Sequence, residues 1–183
     1  MTREEALQLV KQNISNPNLI KHMLATESIM KALARKFGKD EELWKLTGLL
    51  HDLDFDQTKD SPEKHGLVTA EILKDKGVNK TVIKAIKSHN ELLGVPRQTD
   101  LEHALASSEQ LTGLIVGCAL VMPDKKLASV RPRTILKKFK DRSFTANVKR
   151  EMILECEKIG LTLEEFIKIG LEAMQEIAED LGL

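Results

Sequence analysis

Apolar residues recur at intervals of three and four along nearly the whole chain, and helix-starting polar residues stand where those runs begin. The pattern predicts an all-α protein. Strand signals are missing, with no Tyr and no run of alternating β-branched residues. Thr2 with Glu5 reads as a capping box for a short first helix, and Asn16 before Pro17 opens a second that runs to Phe37 and stops at Gly38. Asp40 starts a third, ending near His51-Asp52. Ser61 before Pro62 opens a fourth that Gly77 closes, and Asn79 caps a fifth that reaches His89. Thr99 with Glu102 is a second capping box, for a helix ending at Met122 before Pro123. A basic connector follows, then helices from Pro132 to Lys140, about Thr145 to Ile159, and Leu163 to Leu181, the last headed by the box Thr162 with Glu165. No repeat or low-complexity linker divides the chain, so residues 1–183 are expected to form one domain, a helical core to about residue 123 and a C-terminal helical part packed on it.

Composition narrows the class. Lys and Arg number 28 and so do Asp and Glu, so no global charge draws the chain to nucleic acid or membrane. The two cysteines, Cys118 and Cys156, have no CxxC spacing, which suits a reducing compartment. The segment Met1 to Glu5 is charged and lacks the apolar core of a signal peptide. The run Leu111 to Met122, about a dozen residues, is too short to span a bilayer. These features lead us to expect a soluble cytoplasmic protein.

Polar residues that interrupt the apolar faces carry the candidate chemistry. In Leu49-Leu50-His51-Asp52-Leu53-Asp54 an imidazole and a carboxylate stand side by side at the end of an apolar run. Both are good donors to first-row divalent ions, and adjacent residues offer two at little ordering cost. Asp52 falls in the last turn of its helix, where the macrodipole disfavours an anion and a cation would relieve it. Gly48, on the His51 face, leaves room for another helix to come close. His22 lies beside the stripe Leu19, Met23, Thr26, Met30 and Leu33, as a core histidine satisfied by a carbonyl or as a ligand. Glu109 interrupts a run of Ala, Ser, Leu and Val with Leu105, Thr112 and Val116 on its own face. A carboxylate there must be paired, metal-bound or at the surface. His65 and His89 are each readable as capping or surface histidines, but with the others they form an ordered set on successive helices, as a bundle-core metal site requires. His103, in a capping turn, reads as a bystander.

Taken with Lys21-His22, Pro62-Glu63-Lys64-His65-Gly66, Ile86-Lys87-Ser88-His89-Asn90 and Glu109 to Ile115, the His51-Asp52 segment resembles the HD-domain superfamily of metal-dependent phosphohydrolases over most of the chain. The resemblance implies an HD-type helical bundle with a divalent ion held by His22, His51, Asp52 and Glu109. In binuclear branches of the superfamily, the positions of His65 and His89 hold a second ion that shares the Asp. One or two ions of Fe, Mn, Ni, Co or Zn per chain are therefore expected. Two positions depart from the family's pattern. Glu109 stands where a distal Asp is usual, so ligation can survive with altered geometry, pass through water or be lost. Asn90 replaces the second of two adjacent histidines found in some binuclear members.

The implied reaction is attack of metal-activated water on a nucleotide or other small phosphoester, with no side-chain nucleophile. Asp52 and Asp54 are the expected catalytic carboxylates, Asp54 and its neighbour Asp56 as orienting or proton-transfer groups or simply as turn residues. No GxSxG, GxxxxGK[ST], HExxH or GxGxxG is present to support another chemistry. The segment Asp124 to Arg142 carries eight Lys or Arg against two Asp, so Arg133, Lys137, Lys138 and Arg142 are candidates to hold substrate phosphate, if they are not a solvated face. The alternative is an HD-fold nucleotide-binding or regulatory module with little turnover. RNA contact through the basic segment is disfavoured by the 3% aromatic content, which leaves little stacking surface.

Overall fold

The computed structural model describes residues 1–183 and contains helices and no strand. Both capping-box bonds of Thr2 and Glu5 form at the head of α1 (Arg3–Asn13). Asn16 caps α2 (Pro17–Phe37) and Asp40 caps α3 (Glu41–Leu50). A short α4 (Phe55–Thr58) follows the His51-Asp52 pair, where the sequence suggests only a loop. Next come α5 (Leu67–Asp75), α6 (Lys80–His89) and α7 (Asp100–Leu120), whose Thr99–Glu102 box is also complete. The C-terminal part holds α8 (Pro132–Lys140), α9 (Arg150–Ile153), α10 (Leu163–Glu176) and α11 (Ala178–Leu181). No helix is long and apolar enough to cross a membrane.

Two helices, α2 and α7, form the axis of the bundle. Lys39, just past the end of α2, pairs with Asp100 at the start of α7, while His22 near the start of α2 meets Thr112 in the second half of α7. The two helices therefore run antiparallel. Against α2 pack α3 and α10, and α6 lies on α3 and α7. Ile29, Met30 and Leu33 of α2, Leu49 and Leu50 of α3, Leu111, Leu114 and Ile115 of α7, and Phe166 and Ile167 of α10 are fully buried in one continuous core. Each such side chain contributes about 1.5–3 kcal/mol relative to exposure, and this burial holds the site helices in register.

Three expected helices are interrupted. The helix expected from Pro62 to Gly77 is a 3-10 turn, Pro62–Lys64, then His65 and Gly66, then α5. Gly66 has φ +86°, a left-handed value natural to glycine. The segment expected from Thr145 to Ile159 becomes a loop, the short α9 and a 3-10 turn, Leu154–Ile159. Arg150 organises that loop: its buried guanidinium donates to the carbonyls of Phe139 (3.4 Å), Asp141 (3.3 Å), Phe144, Thr145 (2.9 Å) and Val148 (2.9 Å). Carbonyls turned toward one guanidinium are lost to a helical ladder. The last helix breaks at Ile177, between α10 and α11.

Candidate metal centre

The site begins with a close helix approach. A methyl group on Gly48 would lie 2.9 Å from the Cα and amide nitrogen of Glu27 and from the carbonyl oxygen of Thr26, so only glycine lets α3 come this near the α2 backbone. This approach sets His51, at the end of α3, beside His22 on α2, with their Nε2 atoms 3.1 Å apart. The loops after α3 and before α5, with the end of α6, bring in Asp52, Asp54, His65 and His89. The Nε2 atoms of His65 and His89 are 3.0 Å apart.

Asp52 lies between these two histidine pairs. Its Oδ2 is 3.6 Å from Nε2 of His22, and its Oδ1 is 3.4, 3.2 and 3.5 Å from Nε2 of His51, His65 and His89. Two groups of three donors result, His22, His51 and Asp52 on one side and Asp52, His65 and His89 on the other, with Asp52 common to both. Side-chain exposure of 25% at His22 and 17% at His65, against 0% at His51 and 5% at His89, shows the edges from which solvent reaches the cluster.

The outward-facing nitrogens fix the tautomers. Nδ1 of His51 donates to the Gly48 carbonyl at 2.8 Å and Nδ1 of His89 to the Ile86 carbonyl at 2.5 Å. Nδ1 of His65 donates to Asp54 Oδ1 at 2.9 Å. The Thr112 hydroxyl gives its hydrogen to the Glu109 carbonyl (2.7 Å), so it accepts from Nδ1 of His22 at 2.9 Å. In each neutral ring Nε2 is then a lone pair aimed inward, and the lone pairs face one another in pairs. Such an arrangement is repulsive without a cation between them and suits a divalent ion well.

The ionisation balance agrees. Burial pushes His51 down to about 3, outweighing the pull of Asp52, so that ring is neutral. Burial would raise Asp52, but His51, His65, His89 and His22 together hold it well below the ordinary carboxylate range. Burial would likewise lower His65, yet hydrogen bonds to Asp52 and Asp54 lift it to about 10. His65 thus carries the proton that the two carboxylates demand in the absence of a metal. Asp54 is held below its usual value: burial opposes this, and His65 with the N–H groups of Thr69 and Gly66 prevails.

Glu109 joins neither donor group, though the charges of His89, His22 and Asp52 act on it. Its carboxylate accepts from Nε2 of its neighbour Gln110 at 2.8 and 3.0 Å, and the Gln110 Oε1 in turn accepts from the Lys149 amide at 2.7 Å. Burial raises the Glu109 carboxyl, with His89, His22 and Gln110 opposing and the charge of Asp52 adding to the rise. The four candidate phosphate-binding residues lie on α8 and the loop after it. Arg133 and Lys137 are exposed, Lys138 sits 4.4 Å above the Phe144 ring, and Arg142 faces Glu151 at 3.7 Å. None of the four forms an ion pair or hydrogen bond with the histidine cluster. Asp56 is turned away and accepts from the amide and hydroxyl of Ser15, both at 2.7 Å. His103 pairs with Glu155.

Two contributors escape sequence reasoning. Thr112 sets the tautomer of His22, and its only signal is its position one turn after Glu109 on the same face. Asn90 donates to the carbonyls of Pro62 (2.8 Å) and His65 (2.9 Å), tying the His65 loop to the end of α6. The amide that departs from the family's pattern is therefore a tether in this chain.

A buried carboxylate shared by two histidine pairs within a helical bundle defines the class as a helical domain with residues able to hold a metal. The family model of the HD domain matches residues 19–115, just over half of the chain, and the chain belongs to the HD-domain family, whose members are generally metal-dependent phosphohydrolases. Ribonuclease Y of Oleidesulfovibrio alaskensis is 29% identical over 106 residues, covering 58% of this chain and 20% of that protein. Ribonuclease Y of Sulfurovum sp. is 24% identical and that of Campylobacter curvus 26%, each over 166 residues, 88% of this chain and 32% of the relative. The chain thus spans between a fifth and a third of the length of these relatives. No solved structure matches it significantly.

Proposed function

We propose that this protein is a phosphohydrolase with two divalent ions, one on His22, His51 and Asp52 and one on Asp52, His65 and His89, acting on a nucleotide or other small phosphoester. The observation that carries the reading is the convergence of four inward Nε2 atoms on the single carboxylate of Asp52. Divalent ions so held lower the pKa of water toward neutrality and polarise a phosphoryl oxygen.

The protein's own part is orientation and charge. Gly48, Ile86, Asp54 and Thr112 each fix one imidazole so that its basic nitrogen points inward. Asp52 supplies the negative charge that two cations need. We read Glu109, which is in neither donor group but feels the charges of His89, His22 and Asp52, as a residue that would hold a water or a proton at its carboxylate if it does not itself ligate. Lys149, through Gln110, ties the loop organised by Arg150 to that carboxylate.

Elemental mass spectrometry on protein purified without chelator tests the reading directly. About two ions per chain are expected, falling to none in Asp52→Ala, with phosphoester turnover lost in parallel. Turnover that survives Asp52→Ala sinks the hydrolase reading. The position of Glu109 favours a second reading, a nucleotide-binding or regulatory module with little turnover. Under hydrolysis Glu109→Asp keeps or raises the rate, whereas under the second reading neither form turns over any ester. The relatives' name puts RNA phosphodiesters in the screen. The even charge balance and sparse aromatics favour smaller esters.

A further inference from the structure

The segment from Asp141 to Lys149 is a strap seated on α7. Its carbonyls at Asp141, Phe144, Thr145 and Val148 converge on the buried Arg150 guanidinium, which holds the strap from within. Two glycines of α7 make room for it: an added Cβ on Gly113 would meet Val148 Cγ2 at 3.1 Å, and one on Gly117 would collide with Thr145 Cγ2. Thr145 itself has φ +46°, a value that a β-branched residue keeps only when its surroundings hold it there. The outer side of the strap, with Arg142, Ser143, Ala146, Asn147 and Lys149, is exposed.

The strap ends at Lys149, whose amide donates to Gln110 Oε1 at 2.7 Å. A backbone N–H can only donate, so the Gln110 oxygen must face it and the NH2 group must face the other way. There Nε2 of Gln110 meets both oxygens of Glu109, at 2.8 and 3.0 Å. The Lys149 ammonium reaches Glu91 at 2.6 Å, but that pair is exposed and contributes little. Glu109 feels the charges of His89, His22 and Asp52, yet its carboxylate is in neither donor group. The two oxygens that could ligate a metal are the two that Gln110 engages.

We propose that Gln110, aimed by the Lys149 amide, is a positioning residue that holds the Glu109 carboxylate out of both donor groups, so that the seating of a surface strap sets how many carboxylates reach the metal centre. With the Gln110 amide removed or turned, the Glu109 carboxylate loses its two hydrogen bonds and turns to a bound cation, the other partner open to a buried charge. The proposal rests on the metal-binding part of the function proposed above and not on the hydrolysis of any ester.

A double-mutant cycle on Glu109 and Gln110 tests it, read by calorimetric titration with Mn²⁺ and by the visible spectrum of the Co²⁺-loaded protein, which reports coordination number. Gln110→Ala frees the carboxylate, so Mn²⁺ binding is expected to tighten about tenfold or more and the Co²⁺ bands to change. Loss of charge in Glu109→Gln weakens a nearby cation in either background, and that common part cancels in the cycle. What remains is ligation: Glu109→Gln is expected to cost about tenfold more in the Gln110→Ala background than in the wild type. Effects that add within about twofold overturn the proposal. Lys149→Pro removes the amide hydrogen and Lys149→Ala leaves it, and Lys149 has φ −79°, close to what proline requires. Lys149→Pro is expected to reproduce the Co²⁺ spectrum of Gln110→Ala, and Lys149→Ala that of the wild type. A Lys149→Pro spectrum like the wild type's, or a Lys149→Ala spectrum shifted as far, overturns the role of the strap. If Lys149→Pro does not fold, the cycle decides. A wild type that binds no metal removes the metal centre and this proposal together, whereas metal bound without coupling in the cycle removes this proposal alone.

Discussion

Asp54 Oδ1 and His65 Nδ1 meet at 2.9 Å, and this contact decides that Nε2 of the imidazole faces Asp52. The other oxygen of Asp54 accepts from the amides of Gly66 (2.8 Å) and Thr69 (2.9 Å), the first turn of α5. One buried carboxylate thus caps a helix from outside that helix and orients a candidate ligand.

Asp54→Asn keeps the shape and removes the charge. The amide can satisfy either the helix or the imidazole, and its NH2 group opposes an Nδ1–H donor. Affinity for the ion on His65 and His89 is expected to fall about 10–100-fold, with the ion on His22 and His51 retained. Metal content after dialysis should drop from about two per chain to about one. A variant that keeps both ions would show that Asp54 serves α5 alone.

Thr112 has the corresponding role for His22, so Thr112→Val should act on the other ion. Valine preserves volume but cannot accept from Nδ1, which leaves the ring free to rotate or change tautomer. The expected loss is again about 10–100-fold in affinity, and Thr112→Ser should restore it because the hydroxyl returns. Titration calorimetry with Mn²⁺ on the three proteins measures this. Equal failure of the serine variant would point to packing instead of hydrogen bonding.

Gly48→Ala tests the helix approach that builds the first pair. The new methyl meets only backbone atoms, at 2.9 Å, and these cannot swing aside as a side chain would. Separating α2 from α3 is expected to cost about 1–3 kcal/mol and to lower the melting temperature by about 2–4 °C for each kcal/mol. Thermal melts with metal content on the same samples check it. The ion on His22 and His51 should weaken more than the one on His65 and His89, since only the former pair spans α2 and α3.

These cases show where the sequence was readable. Helix starts marked by local chemistry, such as Thr2 with Glu5 and Thr99 with Glu102, appear where the sequence places them because the signal and the bond lie within four residues. The break at His65–Gly66 was not legible, because the carboxylate that caps α5 comes from Asp54, 12 residues before Gly66. The helix expected from Thr145 failed for the same reason, its carbonyls being drawn to Arg150. In the site, residue types and order identified the histidines and Asp52 as candidates. That Glu109 joins neither donor group, and that Arg133, Lys137, Lys138 and Arg142 make no ion pair or hydrogen bond with the histidines, depends on the direction of each side chain, which helix periodicity leaves open.

Stability should depend on pH through a group outside the metal centre. Glu102 is 1% exposed at its side chain, accepts from the amides of Gln98 (2.5 Å) and Thr99 (3.1 Å), and has the Lys84 ammonium at 3.0 Å. Burial would raise its carboxyl, but these partners outweigh it and hold the group below its ordinary value. A carboxyl depressed in the folded state stabilises the fold above its unfolded pKa, about 4.3, and that contribution disappears as pH falls through the lower folded value. Glu102→Gln removes the charge at every pH and leaves one acceptor. It is expected to be less stable than wild type by about 1–3 kcal/mol at pH 7. The two proteins should converge as pH falls below about 4, where the wild-type carboxyl protonates as well. Denaturant unfolding of both proteins between pH 3 and about pH 7, without metal, measures the difference. A gap that stays constant across that range would mean that the shape of the cap matters and its charge does not.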